Sequence, residues 1–348
     1  MKGIEIMDCM TLMQLLVPES NQLLKIRFQI LRAIQRTQPI GRRGLAKQLE
    51  ISERILRSET DILKEQGLIT YSAKGMFVTE LGKDTYLGLT SIIQQCIEMT
   101  DFEKEISKKL GIRFCKVVAE SGTDNGKQIS NQVQELMKWM LPVDQSIVTV
   151  TGGRTMATVA EYFSKEILQQ REISFVPARG GVGGSTLIQA NSVSEKMAMK
   201  TGGEHFSLYV PEHVSKETYL PLLQEPLVSQ TLSMMKQANC LLYSVGNASV
   251  MAERRGLLPQ ESQFIANKRA VGEAFGCFFD AKGKVVFKLP RVGLHLSDLE
   301  SIPHSIAIVE GAQKAEALIA YAKLAPIDRT WFVIDESLAN MVLNGETR

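Results

Sequence analysis

The sequence predicts a small helical domain closed by a β-hairpin, joined to a larger α/β domain built on a parallel sheet. Three observations predict it. At 348 residues the chain is too long for one average domain. Residues 38–69, QPIGRRGLAKQLEISERILRSETDILKEQGLI, hold two apolar-periodic segments separated by a three-residue break. Beyond residue 110, short β-rich runs alternate with helical stretches. The change of pattern puts the domains at residues 1–88 and 89–348, with connecting helices expected over 81–110.

In the first part, Leu45, Ala46 and Leu49 share one helical face, and Ile51 sits in the turn where it can pin a second helix to the first. Ser52 is placed to cap that second helix, with Glu53 favourable to its dipole. Ile55, Leu56, Ile62 and Leu63 read as its buried stripe, and Arg54, Arg57, Ser58 and Asp61 as the opposite face. Gly67 ends the helix, and LITYSAKGMFVT reads as two strands around Lys74 and Gly75, a wing.

Charge supports a nucleic-acid partner. Residues 1–88 carry 13 Lys and Arg against 10 Asp and Glu, while the rest carries 27 against 28. Nine of the basic residues lie in 25–57, against only Glu50 and Glu53. A solvated amphipathic hairpin is the plainer reading of such a charge run. Here the basic excess, the helix–turn–helix spacing and the following hairpin coincide, which favours a winged helix–turn–helix on double-stranded DNA. Arg54, Arg57 and Ser58 would meet base edges or phosphates, and Arg42, Arg43, Lys47 and Lys74 the backbone. One short recognition helix touches too few base pairs for high specificity, so at least a dimer is expected.

Cys9, Cys96, Cys115, Cys240 and Cys277 are scattered and odd in number, which argues against a disulfide framework and a zinc site. No apolar run approaches the ~18 residues needed to span a bilayer, and Glu5 and Asp8 interrupt the N-terminal apolar stretch. A cytoplasmic protein with no membrane partner is expected.

In the second part, FCKVVAES, SIVTVT, ISFVPAR, FSLYVP, CLLYSV, SIAIVE and TWFVID are the expected strands. Ligands of such sheets sit beyond the carboxyl ends of the strands. Three of those ends suit an anion: Gly152-Gly153-Arg154-Thr155 entering a helix, Arg179 before a glycine-rich loop, and Gly311 with Lys314 at a helix start. A single glycine loop is as easily a tight turn; three of them with cations point to a phosphorylated small ligand. GGVGGST does not satisfy the dinucleotide fingerprint, no P-loop, zinc-protease or serine-hydrolase motif occurs, and the four histidines are dispersed. No cofactor, metal ligand or catalytic residue is expected.

The stretches GRRGLAKQLEISERILRSETDILKEQGLI, FVPARGG, QAN, MAERR, EAFG, KAEA and the late DE give the chain a resemblance, along nearly its whole length, to the SorC-type transcriptional repressors, in particular those acting on central glycolytic genes. The resemblance implies a winged helix–turn–helix repressor of a glycolytic operon, with a Rossmann-like effector domain related in fold to sugar-phosphate isomerases and deaminases. It implies fructose-1,6-bisphosphate as inducer; operator DNA is the expected partner, and a homodimer or homotetramer the expected assembly. Carried over, the sugar-bisphosphate contacts fall on Gly152, Gly153, Thr155, Arg179, Gln189, Arg254, Glu273 and Lys314. Two places depart from the family: Arg154 stands where a second threonine is usual, and Glu310 and Ala312 where a smaller neutral residue and a glycine are usual. The alternative is a sugar-phosphate isomerase or deaminase carrying a DNA-binding domain. It would need a proton-transfer set, for which Glu273, Asp335 and Glu336 are the available carboxylates, with no histidine beside them.

Overall fold

The expected apolar spacing closes into a small core in the first of two units, Met1–Glu98 and Met99–Arg348. The computed structural model describes residues 20–49, 51–86, 99–119, 124–142, 145–168, 171–181, 185–212 and 214–344. Helix α1 (Ser20–Thr37) buries Phe28, Ile30, Leu31, Ala33 and Ile34. Against it pack Leu45 and Ala46 of α2 (Arg42–Gln48) and Leu56 and Leu63 of α3 (Glu53–Glu65). Ser52 caps α3 by accepting from the Ile55 N–H at 3.3 Å. Gly67 leaves the helix with φ 73°.

Strands β1 (Ile69–Ser72) and β2 (Gly75–Val78) pair antiparallel as the expected wing. Gly75 is required there, because its φ is 136° and a Cβ would stand 2.8 Å from the Ile40 carbonyl. One expectation fails within α3: Ile55 is 43% exposed. The buried stripe runs instead through Leu56, Glu59, Thr60 and Leu63, and Glu59 is tolerated inside because Arg27 meets it at 2.6 Å. The segment expected to connect the units is helical over 80–86 and again in α4 (Asp101–Leu110). The residues between them, and with them the boundary expected at 88, lie outside the described residues, as do Cys9 and Cys96.

The second unit is built on seven strands: β3 (Phe114–Val118), β4 (Gln145–Val150), β5 (Glu172–Pro177), β6 (Glu204–His205), β7 (Cys240–Tyr243), β12 (His304–Val309) and β13 (Thr330–Asp335). They form one parallel sheet in the order β3-β13-β12-β7-β4-β5-β6. Near-continuous burial of β7, β12 and β13 fits strands covered on both faces. The helices of this unit after α4 are α5 (Asn125–Met140), α6 (Arg154–Glu161), α7 (Ala190–Thr201), α8 (Lys216–Gln224), α9 (Pro226–Lys236), α10 (Ala248–Arg254), α11 (Pro259–Asn267), α12 (Ala315–Ala322) and α13 (Glu336–Asn344). Three of them start close to the carboxyl edge of the sheet, α6 after β4, α12 after β12 and α13 directly after β13.

FSLYVP is not a strand. The edge strand ends just before it; the Phe206 N–H donates to Phe175 O at 3.1 Å, and the segment pairs again at an isolated bridge, where Val210 O accepts from the Gly181 N–H at 2.8 Å. A second sheet goes beyond the sequence expectation. It comprises β8 (Gly246–Asn247), β9 (Ala270–Ala274), β10 (Cys277–Asp280) and β11 (Val285–Lys288), antiparallel in the order β11-β10-β9-β8. Ala274 pairs with Cys277, so Phe275 and Gly276 form a two-residue turn with φ of 54° and 75°. Such turns match the twist of the strands they join.

Candidate functional site

The first unit presents a basic face, though smaller than the sequence count suggests. Arg27 is spent on Glu59, Arg32 is buried, and Arg42 is tied to Asp61 at 2.6 Å and to the Tyr71 hydroxyl at 3.1 Å, its guanidinium 5.0 Å above the Tyr71 ring. Arg42 thus links α2, α3 and the wing. Arg43, Lys47, Arg54, Arg57, Ser58 and Lys74 all stand exposed. Arg43 lies 3.7 Å from Glu53, and Arg57 4.0 Å from Asp61, with all four side chains largely in water, so these pairs hold little energy.

In the second unit the carboxyl ends of β4 and β12, with the small sheet beside them, enclose a cavity of about 810 Å³. That is the size of a small-molecule site. All eight residues carried over from the family resemblance line it, as do Arg154 and Glu310; Ala312, the third departing residue, is not among the lining residues. Six cationic side chains line it, Arg154, Arg179, Arg254, Arg255, Arg291 and Lys314, against the carboxylates Glu273, Glu310 and Asp335. The first turn of an α-helix leaves N–H groups without intrahelical partners, and α6 begins at the cavity. Gly152 is irreplaceable in the loop before it: a Cβ would stand 2.4 Å from Ile188 O and 3.0 Å from an Arg179 nitrogen.

The three loops differ in what they offer. At the first, Gly153 donates its own N–H to Ile188 O at 2.9 Å. At the second, Arg179 is buried, and donates to Gly180 O at 2.9 Å and Gln189 Oε1 at 3.4 Å; part of the glycine-rich loop, 182–184, lies outside the described residues. At the third, the Gly311 N–H is taken by Asp335, 3.1 Å to each carboxylate oxygen, so Lys314 rather than the loop backbone is the group offered there. Burial lowers the Lys314 pKa, with Arg254 acting in the same direction and Glu310 against it. Burial also lowers that of Arg254, helped by the nearby charge of Arg154. Among the described residues, Arg154, Arg254 and Lys314 have no carboxylate within ion-pair distance.

The other three cations behave differently. Arg255 holds Glu212 at 2.7 Å and Glu273 at 2.8 Å, Arg291 lies 3.3 Å from Glu212, and Arg179 lies 3.9 Å from Glu212. Glu273 Oε1 also accepts the Gly276 N–H at 2.6 Å. Burial lowers the Arg179 pKa to about 10. Sequence reading missed Arg255, Arg291 and Glu212. Arg255 carried a signal, the doubled arginine of MAERR; Arg291 and Glu212 carried none beyond being charges next to apolar runs.

Residues 23–93 match the family model of the CggR N-terminal DNA binding domain, and residues 94–344 that of the Sugar-bind family, a sugar-binding domain. Together with the parallel-sheet fold and its cavity, these matches define the class: the chain belongs to the SorC family of sugar-binding transcriptional regulators. It is 36% identical over 334 residues to the Central glycolytic genes regulator of Bacillus subtilis (strain 168), spanning 95% of this chain and 97% of that protein. The protein of the same name from Priestia megaterium is 36% identical over 315 residues, 89% of this chain and 91% of its own length. A solved structure from Enterococcus faecalis, assigned to the SorC family of transcriptional regulators, superposes with a TM-score of 0.66 at 43% identity, covering 70% of this chain and 100% of that one. The full-length sorbitol operon regulator SorC of Klebsiella pneumoniae shares the fold at 16% identity, with a TM-score of 0.60 over 92% of this chain and 99% of that one. These relatives are bacterial transcriptional regulators, not enzymes. No described helix is long and apolar enough to cross a membrane.

Proposed function

We propose that this protein represses a central glycolytic operon in the cytoplasm as a homodimer or homotetramer, and that a sugar bisphosphate, fructose-1,6-bisphosphate foremost, induces it from the cavity of the second unit. In this reading residues 1–88 bind operator DNA and residues 89–348 bind the effector and carry the oligomer contacts. Arg54, Arg57 and Ser58 of α3 read the major groove, Arg43, Lys47 and Lys74 contact phosphates, and Arg42 braces α3 against the wing.

One observation supports the effector class above the others. Arg154, Arg254 and Lys314 line the cavity without an ion-pair partner among the described residues. Arg254 and Lys314 are partly buried, Arg154 exposed beside them; partly buried cations left unpaired cost stability, so the natural complement of the set is a multiply charged anion. Gly152, Gly153 and Thr155 lie at the start of α6 to receive one phosphate, Arg179 and Gln189 to hold it, and Arg254 and Lys314 to receive another. The sugar hydroxyls fall to Glu273, whose second oxygen is not used by Arg255 or Gly276. A ligand shifts a repressor only by its difference in affinity for the operator-bound and released states.

The test is a matched pair of titrations on the full chain. Fructose-1,6-bisphosphate, fructose-6-phosphate and glucose-6-phosphate are each measured for binding by calorimetry, with and without an operator fragment. The bisphosphate should bind tightest and change operator binding. Arg54→Ala with Arg57→Ala should abolish the preference for operator over random duplex while leaving bisphosphate binding intact. Equal affinity for all three sugars would overturn the effector assignment, and retained operator preference in the double variant would overturn the recognition face.

A further inference from the structure

We propose that Arg255 and Arg291 are positioning residues of the effector site, and that with Arg179 they hold one positive charge more than Glu212 and Glu273 neutralise, a surplus that the ligand's anionic group compensates. This rests on the cavity being the anion site; it adds residues and a charge mechanism that the carried-over contacts do not include.

The cluster is almost wholly inside. Glu212 is 0% exposed, and Glu273 and Arg291 are each 3% exposed. Its three guanidiniums meet two carboxylates; Arg179 is acted on by both other arginines as like charges, and Arg291 by Arg255. The arrangement also has a direction. Arg179, Arg255 and Arg291 line the cavity together with Glu273, whereas Glu212 does not: the carboxylate that holds the three guanidiniums stands behind them. The donor supply exceeds the acceptors too. Among the described residues, Arg255 Nε and Arg291 Nε and Nη2 are buried without a hydrogen-bond partner, the Arg291 pair with Glu212 being close but misaligned. Buried guanidinium nitrogens are normally satisfied. A surplus of charge and of donors, backed by a carboxylate and facing a cavity, is the environment of an anion site awaiting its anion.

The cluster also fixes geometry. Arg255 leaves the end of α10 and bridges Glu212, in the segment after β6, to Glu273 on β9. Its planar fork meets both carboxylates at once, which an ammonium cannot do. Phe275, one residue past β9, lies with its ring 5.9 Å from the Arg291 guanidinium. Three separate chain segments are therefore registered to one another at the cavity floor.

The two arginines predict opposite effects on the ligand-free protein. Arg291→Met leaves Arg179 and Arg255 against Glu212 and Glu273, a balanced set, and replacing a buried ion by an apolar side chain of similar size is often neutral or stabilising when no partner is stranded. Arg255→Met strands Glu273 from its arginine. The experiment measures the thermal midpoint of the full chain and its affinity for two probes, inorganic phosphate and fructose-1,6-bisphosphate, at constant ionic strength in wild type, Arg291→Met, Arg255→Met and Arg255→Lys. Arg291→Met should keep or raise the ligand-free midpoint while weakening both probes about tenfold, the effect of one unit charge about 12 Å from the anion at an effective dielectric near 20. Arg255→Met should lower both midpoint and affinity, and Arg255→Lys should restore neither. A lowered midpoint with unchanged affinity in Arg291→Met would overturn the charge surplus, and full rescue by Arg255→Lys would overturn the positioning role. If wild type binds phosphate but not the bisphosphate, the sugar assignment fails while the floor is still read from the phosphate data; if it binds neither, both fail.

Discussion

Replacing Arg254 by methionine isolates what an unpaired cation contributes to the effector site. The side chain lines the cavity, has no ion-pair partner among the described residues, and has its pKa lowered by burial and by the charge of Arg154. Its removal breaks no hydrogen bond to another described residue and relieves a like-charge repulsion, so the ligand-free midpoint should be unchanged or slightly higher. The ligand loses a charge-assisted contact, worth about 1.5–3 kcal/mol for bonds to a charged group, or roughly 10- to 150-fold in affinity. Calorimetry with fructose-1,6-bisphosphate gives the affinity, and fluorescence anisotropy of a labelled operator gives the response. The variant should bind operator as wild type does, and answer the sugar only at correspondingly higher concentration. Unchanged bisphosphate affinity in Arg254→Met, with the protein folded, would refute the placement of a phosphate at this cation.

Arg43→Ala should reduce the slope of log affinity against log salt for DNA by about 0.9, the share of one phosphate contact, read from anisotropy across a salt series. Effector affinity should fall in alkaline solution: Lys314 has its pKa lowered, so it loses its charge at lower pH than an exposed lysine, and anion binding weakens as pH rises through that point. Lys314→Met should bind more weakly and lose the part of that decline that precedes the discharge of Arg179, whose pKa is lowered to about 10; calorimetry over a pH series can follow it. Gly152→Ala should destabilise the second unit and abolish effector binding, because its Cβ would be driven against the Ile188 carbonyl at 2.4 Å; thermal melts and calorimetry report the two effects.

What could be read in the sequence was local and periodic. The helix–turn–helix and wing follow from apolar spacing, a capping serine and glycines at the turns, all short-range signals, and they appear at the expected residues. Strand ends followed by glycine and a cation led to the loops that line the cavity. What was illegible depends on partners distant in the chain. Glu212 and Arg255 are 43 residues apart, and no spacing rule relates them. Arg27, Arg32 and Arg42 counted as surface charge because a sequence does not say which arginine has a buried glutamate or a tyrosine opposite it. FSLYVP has strand composition but leads into Glu212, and the antiparallel sheet hid in a region whose turn residues include a phenylalanine with positive φ. The resemblance to the SorC-type repressors supplied the residues that local pattern could not connect.

The cavity wall comes from two sheets that share no hydrogen bond ladder: Thr151 follows a strand of the parallel sheet, while Gly246 and Glu273 belong to the antiparallel one. A molecule held by both is a rivet between two plates that otherwise meet through helix α12, which packs against β9, and through the loops at Arg179 and Gly293. Its binding penalises every opening of the small sheet away from the large one by the ligand's whole interaction energy. The amides of β8 and β9 should therefore slow their deuterium uptake on saturation far more than those of β12 and β13, which the central sheet already protects.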